Sequence, residues 1–299
     1  MIPGFDLQNH PLRDLVTPWN PRSHFTFTNF LFKKKRLFKH LNLPLSHPLR
    51  TEYGQYVKWA ARHFDDKVSY QSNVSEIAPV LIDGVINAYD IRVANTGWVR
   101  AKSLVLAPGR SVNIPKKFSS THDERIFHFT KFHSMFENIK VRTKPRIAVI
   151  GGSQTAVELI IYIYSAKNDA QITGITRNFG YRLKDTSPFS DEVYSPEFVD
   201  KFFNASQAAK NKLRKDPEIR NKVSDFLEMK DGHLDVDIDY KIRFTPSDSK
   251  EHAPIYLNGL CESSHGMGDA GSFSLLSLRS AAIIESLRKS LSFSKDNNE

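Results

Sequence analysis

The sequence predicts an α/β fold that binds a dinucleotide, and three features carry that prediction. Residues 147–163 (IAVIGGSQTAVELIIYI) combine a β-branched run, two glycines and a helix whose apolar residues recur every three or four positions. A second short strand, residues 171–176, follows this helix and runs directly into Arg177. Upstream, the strand-like SLVLAPGR also ends in a glycine turn, which is typical of a sheet that passes beneath a nucleotide.

The glycine turn Gly151-Gly152 lies between the predicted strand and the N-terminus of the predicted helix. Backbone N–H groups at such a turn can approach a phosphate, and the helix dipole favours its negative charge. The usual fingerprint is G-x-G-x-x-G/A, and here Ser153 replaces its second glycine. Similar turns occur in α/β folds that bind no nucleotide, so this motif alone leaves both interpretations open.

Arg177 follows the second predicted strand, at the position that faces the adenosine ribose in a dinucleotide fold. An acid at this position favours the 2′-hydroxyl of NAD, whereas a base favours the 2′-phosphate of NADP. The sequence therefore predicts NADPH as the nicotinamide cofactor.

Composition excludes several other classes of protein. The 299 residues are 40% hydrophobic with 21 Phe, enough for one large or two ordinary cores. No apolar run approaches the roughly 20 residues of a membrane span, and none resembles a signal peptide. The single cysteine, Cys261, excludes a disulfide framework and a four-cysteine zinc site. We therefore expect a soluble, cytoplasmic protein with no membrane partner and no metal site.

The net charge of +9 raises the question of whether the protein binds nucleic acid. The basic runs are residues 33–36 (KKKR) and a looser cluster at 210–215, without a zinc finger, an RNP motif or heptads beside them. Such runs are usually solvated faces, and anionic cofactors account for part of a basic surplus. We therefore expect no nucleic-acid partner.

The chain before the glycine turn predicts a helix followed by a meander of short strands. The helix, residues 53–64, has an apolar stripe, and the strands are separated by turns at 83–84 and 95–97. The predicted strands are residues 68–70, 74–77, 80–82, 85–91 and 98–106.

The chain after Arg177 begins with an aromatic, polar stretch that is either a pocket wall or a surface loop before a helix near Ser195. A charged helix at 205–226 and strands at 232–244 and 255–257 follow. A glycine-rich loop, 266–271, then leads into a helix with Leu275, Leu278, Ala282 and Ile283 facing inward. His265 at this loop is a proton carrier, a positioning residue or merely exposed.

Five segments, in this order, resemble the lysine/ornithine N-monooxygenase family. These are LQNHPLRDLVTPWNPRSHFTFTNFL, PLRTEYGQYVKWAARHF, IAVIGGSQTAVE, TSPFSDEVYSPEF and ESSHGMGD…SLLSLR, and the likeness runs from residue 1 to about residue 287. The family consists of flavin-dependent, NADPH-consuming amine N-hydroxylases of siderophore biosynthesis. The fold class that follows is α/β, with Rossmann-like FAD- and NAD(P)-binding domains.

The resemblance implies FAD and NADPH as cofactors, and O₂ and a small-molecule amine (ornithine, lysine or a related diamine) as substrates. The flavin carries out the chemistry, while the protein positions it and excludes water, so no catalytic side chain is expected. A homo-oligomer, a tetramer in the family, is also implied.

The resemblance also assigns residues. Gln8 matches a glutamine beside the flavin, Val74 lies where the chain passes the FAD adenine, and Arg13 replaces a lysine that reaches the substrate carboxylate. Arg keeps this charge with a different reach. The NADP pyrophosphate loop corresponds to Gly151, Gly152, Ser153, Gln154 and Thr155, and Arg177 corresponds to the 2′-phosphate contact.

In the later segments, Asp191 replaces an asparagine that contacts ornithine. A carboxylate there suits a second ammonium, which indicates a diamine such as putrescine or cadaverine. The resemblance matches flavin contacts to Gly271, Ser272 and Phe273, and a substrate contact to Ser274. Because this loop has one residue more than the family pattern, an assignment shifted by one position is the alternative.

Two departures from the family pattern accompany the resemblance. The family's N-terminal FAD phosphate loop has no counterpart after Met1, and a long insert is missing between about residues 213 and 232. The domains expected are a partial FAD-binding domain (1–140), a truncated NADPH-binding domain (141–215) and a C-terminal return to the FAD/substrate domain (216–299). The alternative is a catalytically inactive relative that binds at most NADP or a partner chain.

Overall fold

A computed structural model describes residues 4–109, 112, 114–115, 118, 123–177, 179–181, 194–206, 229–230, 233–244, 251–266 and 275–296. The helices are α1 (Phe27–Lys33), α2 (Leu37–Leu41), α3 (Arg50–Arg62), α4 (Phe132–Lys140), α5 (Gln154–Ala166), α6 (Pro196–Phe203), α7 (Glu262–His265) and α8 (Leu276–Asp296). The strands are β1 (Val74–Ile82), β2 (Val85–Val93), β3 (Gly97–Ala101), β4 (Leu104–Leu106), β5 (Arg146–Ile150), β6 (Gln171–Ile175), β7 (Met229–Lys230), β8 (His233–Leu234) and β9 (Ile255–Leu257).

The chain divides into two compact units. The first contains Met1–Gln8, Pro44–Tyr56 and Arg110–Ser190, and the second contains Asn9–Leu43, Val57–Gly109 and Asp191–Glu299. The assignment of sequence ranges to an FAD domain and an NADPH domain stays a prediction.

The first unit is built on the strand–helix–strand segment that the sequence predicted. β5 and β6 pair in parallel, with Arg146 opposite Gln171 and Ile150 opposite Ile175, and α5 connects them. A parallel pair needs such a crossover, since its two strands run in the same direction. The core of the unit combines apolar residues of α4, β5 and α5, namely Phe132, Phe136, Val149, Ala156, Leu159 and Ile163.

The opposite face of this two-stranded sheet is exposed. Ile150 is 55% and Ile175 is 48% exposed, and Ala148 is exposed as well. Parallel sheets are ordinarily covered on both faces. Within the described residues, the first unit therefore has one covered sheet face and one open face.

The second unit contains the predicted meander, with different strand boundaries. β1, β2 and β3 form an antiparallel sheet in that order. The strands predicted at 74–77 and 80–82 are one continuous strand with irregular register at Val80/Leu81, and residues 68–70 are not a strand. Pro79 does not end β1, because an edge strand tolerates a proline.

The strand predicted at 98–106 is two strands that belong to different sheets. β3 ends at Ala101, and β4 pairs in parallel with β9, with Leu104 opposite Ile255. Tyr89 of β2 donates a hydrogen bond to the Ala253 carbonyl (2.6 Å), and its burial raises the pKa of the hydroxyl. This part of the second unit has an apolar core that includes Ile86, Tyr89, Val236, Tyr256 and Ile283.

Three predicted helices are confirmed with small changes in their bounds. α3 (Arg50–Arg62) begins and ends slightly earlier in the chain than the predicted helix, residues 53–64. Its predicted apolar stripe is buried at Tyr53, Tyr56 and Ala60, whereas Phe64 lies beyond the helix and is 46% exposed. α6 begins after Ser195, whose hydroxyl caps it by accepting from the Phe198 N–H. Leu275 directly before α8 and Ile283 within it are buried as expected, whereas Leu278 and Ala282 are half-buried. The charged helix at 205–226 and most of the loop at 266–271 lie outside the described residues.

No helix in the described part of the chain is both long enough and apolar enough to cross a membrane. Among the same residues, no cluster of at least three His, Cys, Asp or Glu side chains could hold a metal ion.

Candidate dinucleotide site

The backbone of the glycine turn that follows β5 lies very close to the end of β6. Gly151 has φ +142°, a conformation that side chains disfavour, and its N–H donates to the Ile175 carbonyl at the end of β6 (2.9 Å). A Cβ on Gly152 would lie 2.6 Å from Oγ1 of Thr176. Both glycines are therefore required by the fold itself, which brings the turn against the end of the neighbouring strand.

The N-terminus of α5 starts directly after this turn. Ser153 occupies the N-cap position, but its side chain makes no capping hydrogen bond. The first N–H groups of a helix have no partner within the helix, so those of Gln154 and Thr155 can face an anion, whereas the Ala156 N–H donates to the Ser153 carbonyl (3.0 Å). Gln154 and Thr155 are the first two residues of α5, which begins one residue before the helical pattern in the sequence, at Thr155.

Arg177 lies two residues beyond the end of β6 and is exposed. It makes no ion pair with any residue that the structure describes. A long, exposed cation that follows β6, near the glycine turn and the N-terminus of α5, suits a phosphate group.

Gln8 belongs to the same unit as the glycine turn. Residues 5–8, which we call the Gln8 segment, lie along residues 48–50: Leu7 N–H donates to the Pro48 carbonyl (2.7 Å), and Asp6 pairs with Leu49. The side-chain Oε1 of Gln8 is buried and has no hydrogen-bond partner among the described residues. A buried acceptor without a partner is costly, so this atom fits an N–H of a bound cofactor.

Sequence reasoning missed an ion pair beside the turn. Glu158 of α5 is 3% exposed and binds both Nη atoms of Arg50, with Nη2 to Oε1 at 2.7 Å. Nε2 of Gln154 donates to the same Oε1 at 2.8 Å. The available signal was that Glu158 is the only charged residue in an otherwise apolar helix.

An ion pair and a hydrogen bond hold the loop between α5 and β6. Lys167 forms an ion pair with Asp169 (2.8 Å), and Asp169 also accepts the Lys144 N–H (3.0 Å). The Lys167 hydrogen bond is the main cause that lowers the pKa of this carboxyl. These contacts join the start of β5 to the loop before β6.

Two other predicted residues belong to the second unit. Arg13 is half-buried in a loop in which Asn9 donates to its carbonyl (2.5 Å). Its neighbour Asp14 is fully buried and accepts hydrogen bonds from Val16, Thr17 and Phe27. Val74 is the first residue of β1 and is 49% exposed.

The remaining predicted contacts, Asp191, Gly271, Ser272, Phe273 and Ser274, lie outside the described residues. Close to them in sequence, Ser277 lies in the first turn of α8. Its Oγ is buried without a hydrogen-bond partner in the described part of the chain, and sequence reasoning did not select it.

His265 is buried, so the interpretation of an exposed histidine is wrong. Its ring stacks on Tyr240 with centroids 4.1 Å apart. Nδ1 lies 2.7 Å from Oγ of Ser264, and Nε2 lies 3.2 Å from the Ile238 carbonyl. An Nε2–H that donates to this carbonyl leaves Nδ1 to accept from the serine, which favours a positioning role.

Comparison with known proteins decides the family. Residues 1–229 match the model of the L-lysine 6-monooxygenase/L-ornithine 5-monooxygenase family. The chain belongs to this family. The expected resemblance is thereby confirmed, and the lysine/ornithine N-monooxygenases are flavin-dependent N-hydroxylating enzymes.

Among curated family members, L-ornithine N(5)-monooxygenase from Ajellomyces capsulatus is 26% identical over 400 aligned positions, covering 99% of this chain and 83% of the relative. This alignment is longer than the chain, so the relative contains segments that this chain lacks. The enzyme of the same description from Emericella nidulans is 33% identical over 231 positions, which cover 74% of this chain and 46% of the relative. The chain thus spans less than half of that second relative.

A solved structure of the Kutzneria sp. 744 ornithine N-hydroxylase, with reduced FAD, NADP⁺ and L-ornithine, superimposes with a TM-score of 0.85. The identity is 22%, and the match covers 96% of this chain and 88% of that chain. The predicted fold class, α/β with Rossmann-like domains that are incomplete relative to the family, is confirmed.

Proposed function

We propose that this chain N-hydroxylates the terminal amine of ornithine, lysine or a related diamine for siderophore biosynthesis, with FAD, NADPH and O₂. The observation that carries the proposal is the family match over residues 1–229. The fit of the site supports it, since the open N-terminus of α5 suits a pyrophosphate and the buried Oε1 of Gln8 suits a cofactor N–H.

Each part of the chain has a defined task in this proposal. FAD, when bound and reduced by NADPH, supplies the activated oxygen. Residues 151–155 hold the NADPH pyrophosphate and Arg177 its 2′-phosphate, while Gln8 orients the flavin. Val74 and residues 271–273 complete the FAD site.

Substrate recognition is assigned to Arg13, Asp191 and Ser274. The Arg13 guanidinium binds a substrate carboxylate, as in ornithine or lysine. The carboxylate of Asp191 binds the second ammonium of a diamine such as putrescine or cadaverine. The reacting amine must be unprotonated, because only a free electron pair can accept the oxygen atom.

A second candidate is an inactive family member that binds NADP or a partner chain. The open face of the β5–β6 sheet, with Ile150 and Ile175 about half exposed, supports the partner chain in this candidate. The same face supports the proposal of a homo-oligomer, in which a second copy covers it. We also expect a cytoplasmic enzyme, because NADPH is an intracellular reductant.

The experiment is product analysis with the purified full-length chain. The chain is incubated with FAD, NADPH and O₂, and separately with ornithine, lysine, putrescine or cadaverine. The expected result is an amine-dependent product whose mass is larger by one oxygen atom, from at least one substrate. NADPH oxidation to hydrogen peroxide alone, or no oxidation, would instead identify the inactive candidate. Equal turnover of ornithine and the diamines would remove the role given to Asp191.

A further inference from the structure

An ion pair connects the two segments that carry Gln8 and Gln154. The Arg50 guanidinium binds the Glu158 carboxylate through both of its Nη atoms. The backbone N–H of Arg50 donates to the Phe5 carbonyl (3.0 Å), in the Gln8 segment. One arginine thus contacts the Gln8 segment with its backbone and α5 with its side chain.

The Glu158 carboxylate has little freedom. It is buried at 3% exposure, and a buried carboxylate is tolerated only when it is paired and hydrogen-bonded. Its described donors are the two Nη atoms of Arg50 and Nε2 of Gln154. Because these donors come from α3 and the first turn of α5, the carboxylate fixes both relative to each other.

We propose that Arg50 and Glu158 are positioning residues for the dinucleotide site. The pair holds the side chain of Gln154 at the glycine turn and keeps the Gln8 segment in register with α5. The turn is therefore organised before NADPH arrives, which lowers the entropy that binding costs. This inference rests on the proposed function, because Gln154 is assigned to the NADPH loop.

The test combines a double-mutant cycle on NADP⁺ affinity with amide hydrogen exchange, which is measured without cofactor. Dissociation constants for NADP⁺ are measured by calorimetry for the full-length chain and for Glu158→Gln, Gln154→Ala and the double variant. Amide hydrogen exchange is followed at residues 5–8 and 151–155 without cofactor. Arg50→Lys keeps the charge but loses the two-pronged contact. Asp90→Asn is the control, since Asp90 and Arg100 also form a two-pronged pair, through Nε and Nη2 of Arg100, on the surface of the second unit.

We expect Glu158→Gln and Gln154→Ala each to weaken NADP⁺ binding roughly tenfold, as for one hydrogen bond to a charged group. The double variant should be no weaker than the worse single variant, because Glu158 acts through Gln154. Amide exchange at residues 5–8 and 151–155 should become faster in Glu158→Gln and Arg50→Lys. In Asp90→Asn, neither the NADP⁺ affinity nor the exchange rate should change.

Unchanged NADP⁺ affinity in Glu158→Gln, or effects that multiply in the double variant, would overturn the positioning role. Unchanged exchange at residues 5–8 and 151–155 in Glu158→Gln and Arg50→Lys would overturn it as well. Absence of NADP⁺ binding by the unaltered chain, together with the expected change in exchange, would contradict the proposed function instead. The organisation of the two segments by the ion pair would then stand.

Discussion

Asp14 is a fully buried carboxylate that organises the loop next to Arg13. It accepts hydrogen bonds from the backbone N–H groups of Val16 (2.9 Å), Thr17 (2.6 Å) and Phe27 (2.6 Å) and from the Thr17 hydroxyl (2.8 Å). The Phe27 contact fixes the loop to the first residue of α1. The Asp14 carboxylate thus fixes the loop that carries the proposed substrate arginine to the start of α1.

We predict that Asp14→Asn lowers the free energy of unfolding by about 1–3 kcal/mol, because an amide nitrogen replaces one acceptor and leaves a buried donor unpaired. Urea unfolding of the full-length chain measures the change. Asp66→Asn is the matched control, since Asp66 is exposed and its surface pair with Lys67 contributes little. Equal stability of Asp14→Asn and the unaltered chain would contradict this account of the loop.

Buried charges are the residues that the sequence could least reveal. Ser153, Gln154 and Arg177 were located by their neighbours in the chain, because a strand, a turn and a helix are local patterns. The partner of Glu158 is 108 residues away in sequence, and no local pattern connects the two. His265 shows the same limit, since its burial depends on Tyr240 and Ile238, which come from another segment.

At the scale of elements, the turn between β5 and α5 depends on the absence of a side chain at Gly152. We predict that Gly152→Ala lowers the free energy of unfolding by about 1–3 kcal/mol, because the new methyl group collides with Oγ1 of Thr176. NADP⁺ binding should weaken in parallel. Urea unfolding and calorimetry measure the two effects.

Gly180→Ala is the control for this change, because a Cβ at Gly180 has no neighbouring atom within 4 Å. The double variant Gly152→Ala/Thr176→Ala should regain most of the lost stability, since it removes the colliding hydroxyl. If Gly152→Ala is as stable as the control, the turn does not approach β6 as closely as the structure indicates.

Elements with their own periodicity were predictable, and those that depend on pairing were not. α3, α5 and the β5–β6 pair follow from apolar spacing and glycine punctuation. The boundary between β3 and β4 does not, because it is set by the pairing of β3 with β2 and of β4 with β9. The joining of residues 74–77 and 80–82 into one strand likewise depends on pairing with β2.

At the scale of the whole molecule, the chain combines a complete glycine turn with described sheets that have few strands. The described sheets contain two or three strands each, and the aligned relative from Ajellomyces capsulatus has segments that this chain lacks. We nevertheless propose that the chain binds FAD and NADPH so that NADPH reduces the flavin.

The most direct measurement of that claim is reduction of bound flavin without oxygen. The full-length chain is mixed with FAD, passed through a desalting column and then treated with NADPH or NADH while flavin absorbance is recorded. We expect the flavin to stay with the protein and to be bleached faster by NADPH than by NADH, with this preference reduced in Arg177→Ala. Loss of all flavin on the column, or retained flavin that NADPH does not reduce, would contradict it.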